Sequence, residues 1–319
     1  MKVAILFDEI KPADVIEDRD VLQQVKCVAD ALKDLGHKYE LIPCSLNLQK
    51  FMDDIAKSGC NIAFNVIDTL DNKDCLSFLP IAVLDAYRFP HTGPSADTLS
   101  VITRKQFMKG PLEQLGIPTP KVLLHSDFWS DHPDVLEKKW IIKGAEEDGS
   151  FGMDDSCVFN GESNIAQIVS DWQGKTGRIA LVEEFISGRE FTVPYLCGAV
   201  LSPAEIVYRD YPDDKPKILA HNAKWEEDSF EHKHTDNVWE FSKEDDILIG
   251  LMKNYTARCI NAFGLRGWGR IDYRVSNSAV PHCIDINANS FLAPDAWFAE
   301  AVQREGIQFN DAISKILKA

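Results

Sequence analysis

The 319-residue sequence predicts an α/β fold that opens with a small parallel layer and continues into turn-linked strand pairs. Three observations predict it. Up to about Ala96, short β-branched runs alternate with stretches of helical period, the pattern of strands joined by crossover helices. Further on, Ile179–Phe185 and Phe191–Leu196 flank a Ser187-Gly188 turn, and Gly269–Val275 and His282–Ile286 form a second pair. Apolar residues make up 45% of the chain, enough for a sizeable buried core.

In order, Val3–Phe7 reads as a buried strand by its length and β-branched content. Val21–Leu35 carries apolar residues at helical spacing and stops at Gly36. Tyr39–Ile42 and Ile62–Val66 are strands, and Leu76–Tyr87 is an apolar helix that leaves through Phe89-Pro-His-Thr-Gly93. A helix over Ser100–Leu115 ends at the prolines of Gly116-Ile-Pro-Thr-Pro120. Lys121–Leu124 and Trp140–Lys143 read as strands separated by a polar loop and helix around Asp131–Lys138, followed by the glycine- and acid-rich loop Glu146–Asp155. Tyr208–Val238 is polar and irregular, a long loop with short elements. Asp245–Phe263, Asp295–Gly306 and Phe309–Leu317 complete the helices.

The net charge of −16 argues against general affinity for nucleic acid or anionic membrane, but not against ATP, whose phosphates are met by a few local cations. Eight scattered cysteines without a CxxC pair fit reduced thiols in a cytoplasmic protein. The opening Met1–Phe7 run is too short for a signal-peptide core, and no apolar stretch reaches membrane-spanning length.

Alternation along a strand places Arg270 with Asp272 on one face, and Asp285 with Asn287 likewise. If the two strands pair, two carboxylates and an amide oxygen converge beside a guanidinium, a hard-oxygen set suited to Mg²⁺. Taken alone, the pattern fits a solvated edge hairpin equally well. Lys143 ends a buried strand ahead of a glycine-bearing loop containing Ser150, an arrangement suited to phosphates. Glu183, Glu184 and Glu190 bracket a turn, where a backbone edge could meet adenine and a carboxylate the ribose. Lys105 lies on the helix before the proline stop, a position more often solvated than liganding.

Together these segments resemble the D-alanine–D-alanine ligase branch of the ATP-grasp superfamily. His91–Ser95, Lys105, Gly116–Pro120, Ile141–Lys143, Gly149–Met153, Val182–Val193, Ala223–Trp225, Gly267–Asp272 and Asp285–Asn287 occur in that family's order and spacing. The resemblance implies an N-terminal substrate domain over residues 1–97. Two antiparallel-sheet subdomains, 98–181 and 182–319, would grip ATP between them. Lys105, Lys143, Ser150 and Lys224 would meet the phosphates, while Glu183, Glu184 and Ile186 would surround the adenine and Glu190 the ribose. Asp272, Asp285 and Asn287 would carry two Mg²⁺ ions, with Mn²⁺ as an alternative. Arg270 and Lys224 would assist catalysis, Glu17 or Asp18 would hold a substrate ammonium, and the N-terminal domain would form a homodimer.

This implies ADP-forming ligation of a small carboxylic acid to an amine through an acyl-phosphate. Phosphorylation replaces an expensive oxide leaving group by phosphate, and Arg270 would meet the oxyanion formed when the amine attacks. The Tyr208–Val238 loop is the expected lid. The substrate end departs from the family: Gly149 and Trp225 stand where serine and tyrosine are usual, Phe291 and Ala296 replace glycine and serine, and Asn65–Leu70 replaces a His-Gly segment. These changes point to an amino acid or related acid other than D-alanine. The alternatives are D-alanine–D-alanine ligation, a nucleotide-binding protein without turnover, and a phosphotransferase.

Overall fold

Five consecutive buried residues, Val3 to Phe7, form the centre of β1 (Lys2–Asp8). The computed structural model describes the chain apart from residues 11–16, 130–131, 148 and 295, and no side chain between 17 and 20. β1 lies between β2 (Lys38–Cys44) and β3 (Ile62–Asn65), both parallel to it. Helices Glu17–Asp34 and Leu48–Ser58 make the crossovers, and Phe78–Tyr87 follows β3. The middle strand of such a layer is covered on both faces, and β1 accordingly reads as a continuous apolar run, whereas the edge strand β2 is exposed over much of its length.

The central region holds β4 (Lys139–Gly144), β5 (Val158–Asn160) and β6 (Ala180–Glu184), with β4 in the middle and antiparallel to both. Trp140, Ile142 and Val182 pack there against Trp172 of helix Ile165–Thr176. The strand expected at Lys121–Leu124 is only an extended segment beside β6. Leu123 N–H donates to Val182 O at 2.9 Å and Glu184 N–H to Lys121 O at 2.8 Å. Pro118 and Pro120, which precede it, have no N–H with which to lengthen a ladder. The boundary expected at 181/182 falls inside β6, whose pairing with β4 continues to Glu184.

The region from Gly188 onward builds a six-stranded antiparallel sheet from β7 (Gly188–Leu196), β8 (Ala199–Val200), β9 (Ala204–Tyr208), β10 (Thr235–Val238), β11 (Trp268–Ser276) and β12 (Pro281–Asn287). Its order is β10-β9-β7-β11-β12, with β8 pairing beside β7. Gly269 allows the close approach at its centre: a Cβ there would lie 2.3 Å from Asn287 O and 2.6 Å from the Tyr195 hydroxyl. The expected loop is thus shorter than Tyr208–Val238, because Tyr208 closes β9 and Thr235–Val238 is β10. Residues 209–234 between them carry two short helices, His221–Trp225 and Phe230–Lys233.

The single helix expected over Ser100–Leu115 is two, Ala96–Ile102 and Lys105–Gln114, broken where Arg104 is extended. The break lets Lys105 N–H donate to Ala145 O at 3.0 Å, which ties the second helix to the end of β4. Of the expected helix residues, Asp131 and Asp295 lie outside the described residues, as does Asp148 of the glycine loop. No helix among the described residues is long and apolar enough to cross a membrane.

Candidate active site

On β11, Ile271 and Tyr273 enter the core, so Arg270, Asp272 and Arg274 occupy the other face. The register sets Arg270 opposite Asn287 and Asp272 opposite Asp285 before a bulge shifts the pairing. Four expected residues therefore share one face of a hairpin. Arg270 Nε stands 3.2 Å from Asp272 Oδ2.

Two lysines approach this face from the central region. Lys105, read as more often solvated, is buried: its ammonium donates to Glu147 O at 2.5 Å and stands 3.5 Å from Asp285 Oδ1. Lys143, near the end of β4, reaches Ile284 O at 3.4 Å and so touches β12. The Glu183 carboxylate, expected at an adenine, lines the cavity and is clasped between Lys143 at 2.5 Å and Lys109 at 2.9 Å. Period-two alternation explains this: Glu183 lies opposite Ile141 on β4, and its side chain turns toward the buried lysines.

These groups line a cavity of about 820 Å³ including its open mouth. Of the expected residues, Lys105, Lys143, Ser150, Glu183, Glu184, Ile186, Glu190, Lys224, Arg270, Asp272 and Asp285 line it. One end is charged. The other is an apolar slot built from Ile141, Met153, Phe185, Ile186 and Ile218. Asn287 is not part of the lining; its Oδ1 accepts from Asn289 N–H at 2.9 Å, which fixes the amide. Glu17 and Asp18 open the first long helix, but their side chains lie outside the described residues.

At the slot, Glu190 is already occupied. Arg274 pairs with its Oε2 at 2.7 Å and the Tyr208 hydroxyl donates to the same oxygen at 2.7 Å. Arg274 also donates to Ile186 O and Lys217 O at 2.7 and 2.9 Å, and lies over the Phe185 ring. Sequence reading missed Arg274 and Lys109. The alternation Arg270-Asp272-Arg274 was a usable signal for the first; one helical turn from Lys105 was the signal for the second. Glu184 pairs with Lys138 at 2.7 Å.

Segment 209–234 closes over the glycine loop. Ser150, at φ +63°, donates its hydroxyl to Leu219 O at 2.7 Å. Trp225 Nε1 donates to Gly149 O at 3.3 Å, and His221 N–H to Met153 O at 3.3 Å. Lys215 joins Asp155 of the loop to Glu231, the latter at 2.7 Å. Trp297, which opens helix Trp297–Arg304, is stacked on Trp239 with ring centroids 5.4 Å apart.

Burial and neighbouring charge compete at the charged end. Burial raises Asp272, and the Arg270 charge only partly opposes this. Burial alone would also raise Asp285, but Lys105, Lys143 and Arg270 outweigh it and hold that carboxyl below its ordinary range. Lys224 is lowered to about 8 by burial and by the Arg270 charge. Asp272 Oδ1 and Asp285 Oδ1 are buried with no hydrogen-bond donor among the described residues. Two opposed buried carboxylates whose oxygens lack close hydrogen bonds, with Lys105 no nearer than 3.5 Å to Asp285 Oδ1, suit a hard divalent cation completed by phosphate and water. The residues present therefore fit Mg²⁺.

Comparison with known proteins agrees with this architecture. The model of the family described as D-ala D-ala ligase C-terminus matches residues 112–318. A D-alanine–D-alanine ligase of Aquifex aeolicus is 26% identical over 93% of this chain and 94% of its own length. The uncharacterized protein y4sG of Sinorhizobium fredii is 24% identical over 91% and 85%. Among solved structures, the D-alanine–D-alanine ligase of Bacillus anthracis complexed with ATP superposes with a TM-score of 0.75 at 15% identity. It covers 100% of this chain and 96% of that one. The VanG D-Ala:D-Ser ligase of Enterococcus faecalis gives 0.70 at 14% identity, over 99% and 98%.

Proposed function

The chain belongs to the D-ala D-ala ligase C-terminus family and is an ATP-grasp ligase forming a carbon–nitrogen bond, and from that premise we propose that it joins two small D-amino acids of the D-alanine type in an ADP-forming reaction. The observation that carries the reading is the pair of facing buried carboxylates, Asp272 and Asp285, each with an oxygen that makes no close hydrogen bond, set beside Lys105, Lys143, Lys224 and Arg270 at the end of an apolar slot. An ATP molecule has the matching polarity, with a flat base for the slot and a polyanion for those cations.

In this reading Lys105 and Lys143 neutralise the phosphates, and Asp272 and Asp285 hold Mg²⁺, with Asn287 beside them. The metal supplies charge neutralisation on the transferred phosphoryl group. Arg270, fixed by Asp272, supports the oxyanion formed as the amine attacks the acyl-phosphate. Segment 209–234 shuts the cavity and keeps water from that intermediate. The reaction would run in the cytoplasm, where ATP is supplied.

The relatives of named activity favour D-alanine over the different acid expected from Gly149, Trp225, Phe291 and Ala296, so D-alanine is placed first. Trp225 supports the second reading, because its indole is committed to Gly149 O and offers no hydroxyl to a substrate. ADP release with Mg-ATP and a panel of D- and L-amino acids, singly and in pairs, tests both. The expected result is strongest release with D-alanine, lost by at least about 100-fold in Asp285→Ala. Release only with another acid–amine pair supports the second reading. Release without any amine, or none with any acid, overturns the ligase assignment to these residues.

A further inference from the structure

Lys109 lies one turn beyond Lys105, is only 5% exposed, and is not among the side chains lining the cavity. Burying an ammonium is costly unless every proton finds a partner. Here Nζ donates to Thr119 Oγ1 at 3.0 Å and Pro120 O at 2.9 Å, and pairs with Glu183 Oε2 at 2.9 Å. Thr119 in turn donates to Cys283 O of β12 at 2.9 Å, so the group is anchored to both antiparallel sheets. The other oxygen of Glu183 meets Lys143 Nζ at 2.5 Å.

Glu183 thus stands between two ammonium groups, and of the two only Lys143 faces the cavity. One negative and two positive charges leave a net +1. Without Lys109, Glu183 would cancel Lys143, and the cavity wall would present a neutral pair. We propose that Lys109 is a positioning residue for nucleotide binding: it offsets the Glu183 carboxylate so that Lys143 is held in place yet delivers an uncompensated charge to the phosphates of ATP. The same geometry keeps Glu183 ionised, since the charges of Lys143 and Lys109 more than reverse the effect of burial, while burial and the Lys109 and Lys105 charges lower Lys143 against the support of Glu183.

The proposal rests on the reading that this cavity takes ATP, and the test separates the two. Dissociation constants for ATP, ADP, AMP and adenosine are measured by calorimetry without metal. Lys109→Met is expected to weaken ATP about tenfold, with a smaller loss for each phosphate removed and none for adenosine. Adding Glu183→Gln to Lys109→Met restores the net +1 and should return ATP to near the parent affinity. If Lys109→Met does not fold, Glu183→Gln alone and the double variant give the same comparison, the single binding ATP about tenfold more tightly. Equal weakening of ATP and adenosine, or no difference between those two variants, overturns the charge role and leaves Lys109 as packing. Lys143→Met with unchanged ATP affinity overturns the cavity reading, and this proposal with it.

Discussion

Lys224 and Arg270 line the same cavity, and burial together with that neighbouring charge brings the lysine down to about 8. The sign follows directly. A lowered lysine is charged below its pKa and neutral above it, so a polyanion loses an attractive partner as pH rises. Above the range in which the ATP phosphate itself titrates, ATP affinity without metal is expected to fall several-fold as pH passes through about 8. Lys224→Arg should remove that step, since a guanidinium does not titrate there. Calorimetric titration across the range checks it; a flat profile in the parent protein would remove Lys224 from the phosphate end. The hairpin carrying Arg270, Asp272 and Asp285 was legible because alternation is a local property. The partners of Lys109 and Glu190 were not, since Glu183 and Arg274 come from distant strands that only the fold brings near.

At the scale of elements, the start of β7 shows how little room the six-stranded sheet leaves. Gly188 has φ +138°, and a Cβ there would meet Val275 O at 2.1 Å. Gly188→Ala should cost about 3 kcal/mol, read as a lowered urea midpoint with unchanged slope. The segment over the cavity gives a second expectation. Lys215 bridges Asp155 and Glu231, and Lys215→Met removes both ties while leaving the hydrogen bonds of Ser150 and Trp225. Limited proteolysis within 209–234 should then be faster in the free protein and slowed by ATP; equal cleavage rates would show that Lys215 does not hold the segment. Strands such as β1 were readable because burial on both faces demands a continuous apolar run. Helix Leu48–Ser58 escaped notice because it buries only Phe51, Ile55 and Ser58. β9 escaped because it is five residues long and directly follows Ser202-Pro203, which reads as a break.

At the scale of the whole molecule, a chain of net charge −16 gathers Lys105, Lys143, Lys224 and Arg270 around one cavity. The carboxylates of Glu147, Glu183, Glu184, Glu190, Asp272 and Asp285 line it too, so a polyanion would be held by the local placement of the cations and by a metal ion, not by an excess of positive charge. The cavity draws its walls from both antiparallel sheets, which Lys143 joins through Ile284 O. Bound nucleotide should therefore resist unfolding of the two sheets together. A hundredfold excess of Mg-ATP over its Kd is expected to add about 2.7 kcal/mol to stability. Thermal unfolding should show one transition moving upward, and Lys143→Met should shrink the shift. Movement of only part of a biphasic melt would show that the sheets unfold separately.

The parallel layer is stitched to the loop after β12 by a few polar threads. Asn289 Nδ2 donates to Ile67 O at 2.9 Å and Asp68 Oδ1 at 2.8 Å. The fully buried Gln24 accepts from Leu292 N–H at 2.6 Å. These threads belong to neither the phosphate end nor the apolar slot. A hybrid gene that grafted a relative's first hundred residues onto this chain would keep the nucleotide grip but lose its seam. Heritable change at one end of the enzyme is thereby tied to the other through Gln24, Asp68 and Asn289, and through the apolar core in which Phe64 stacks on Trp268.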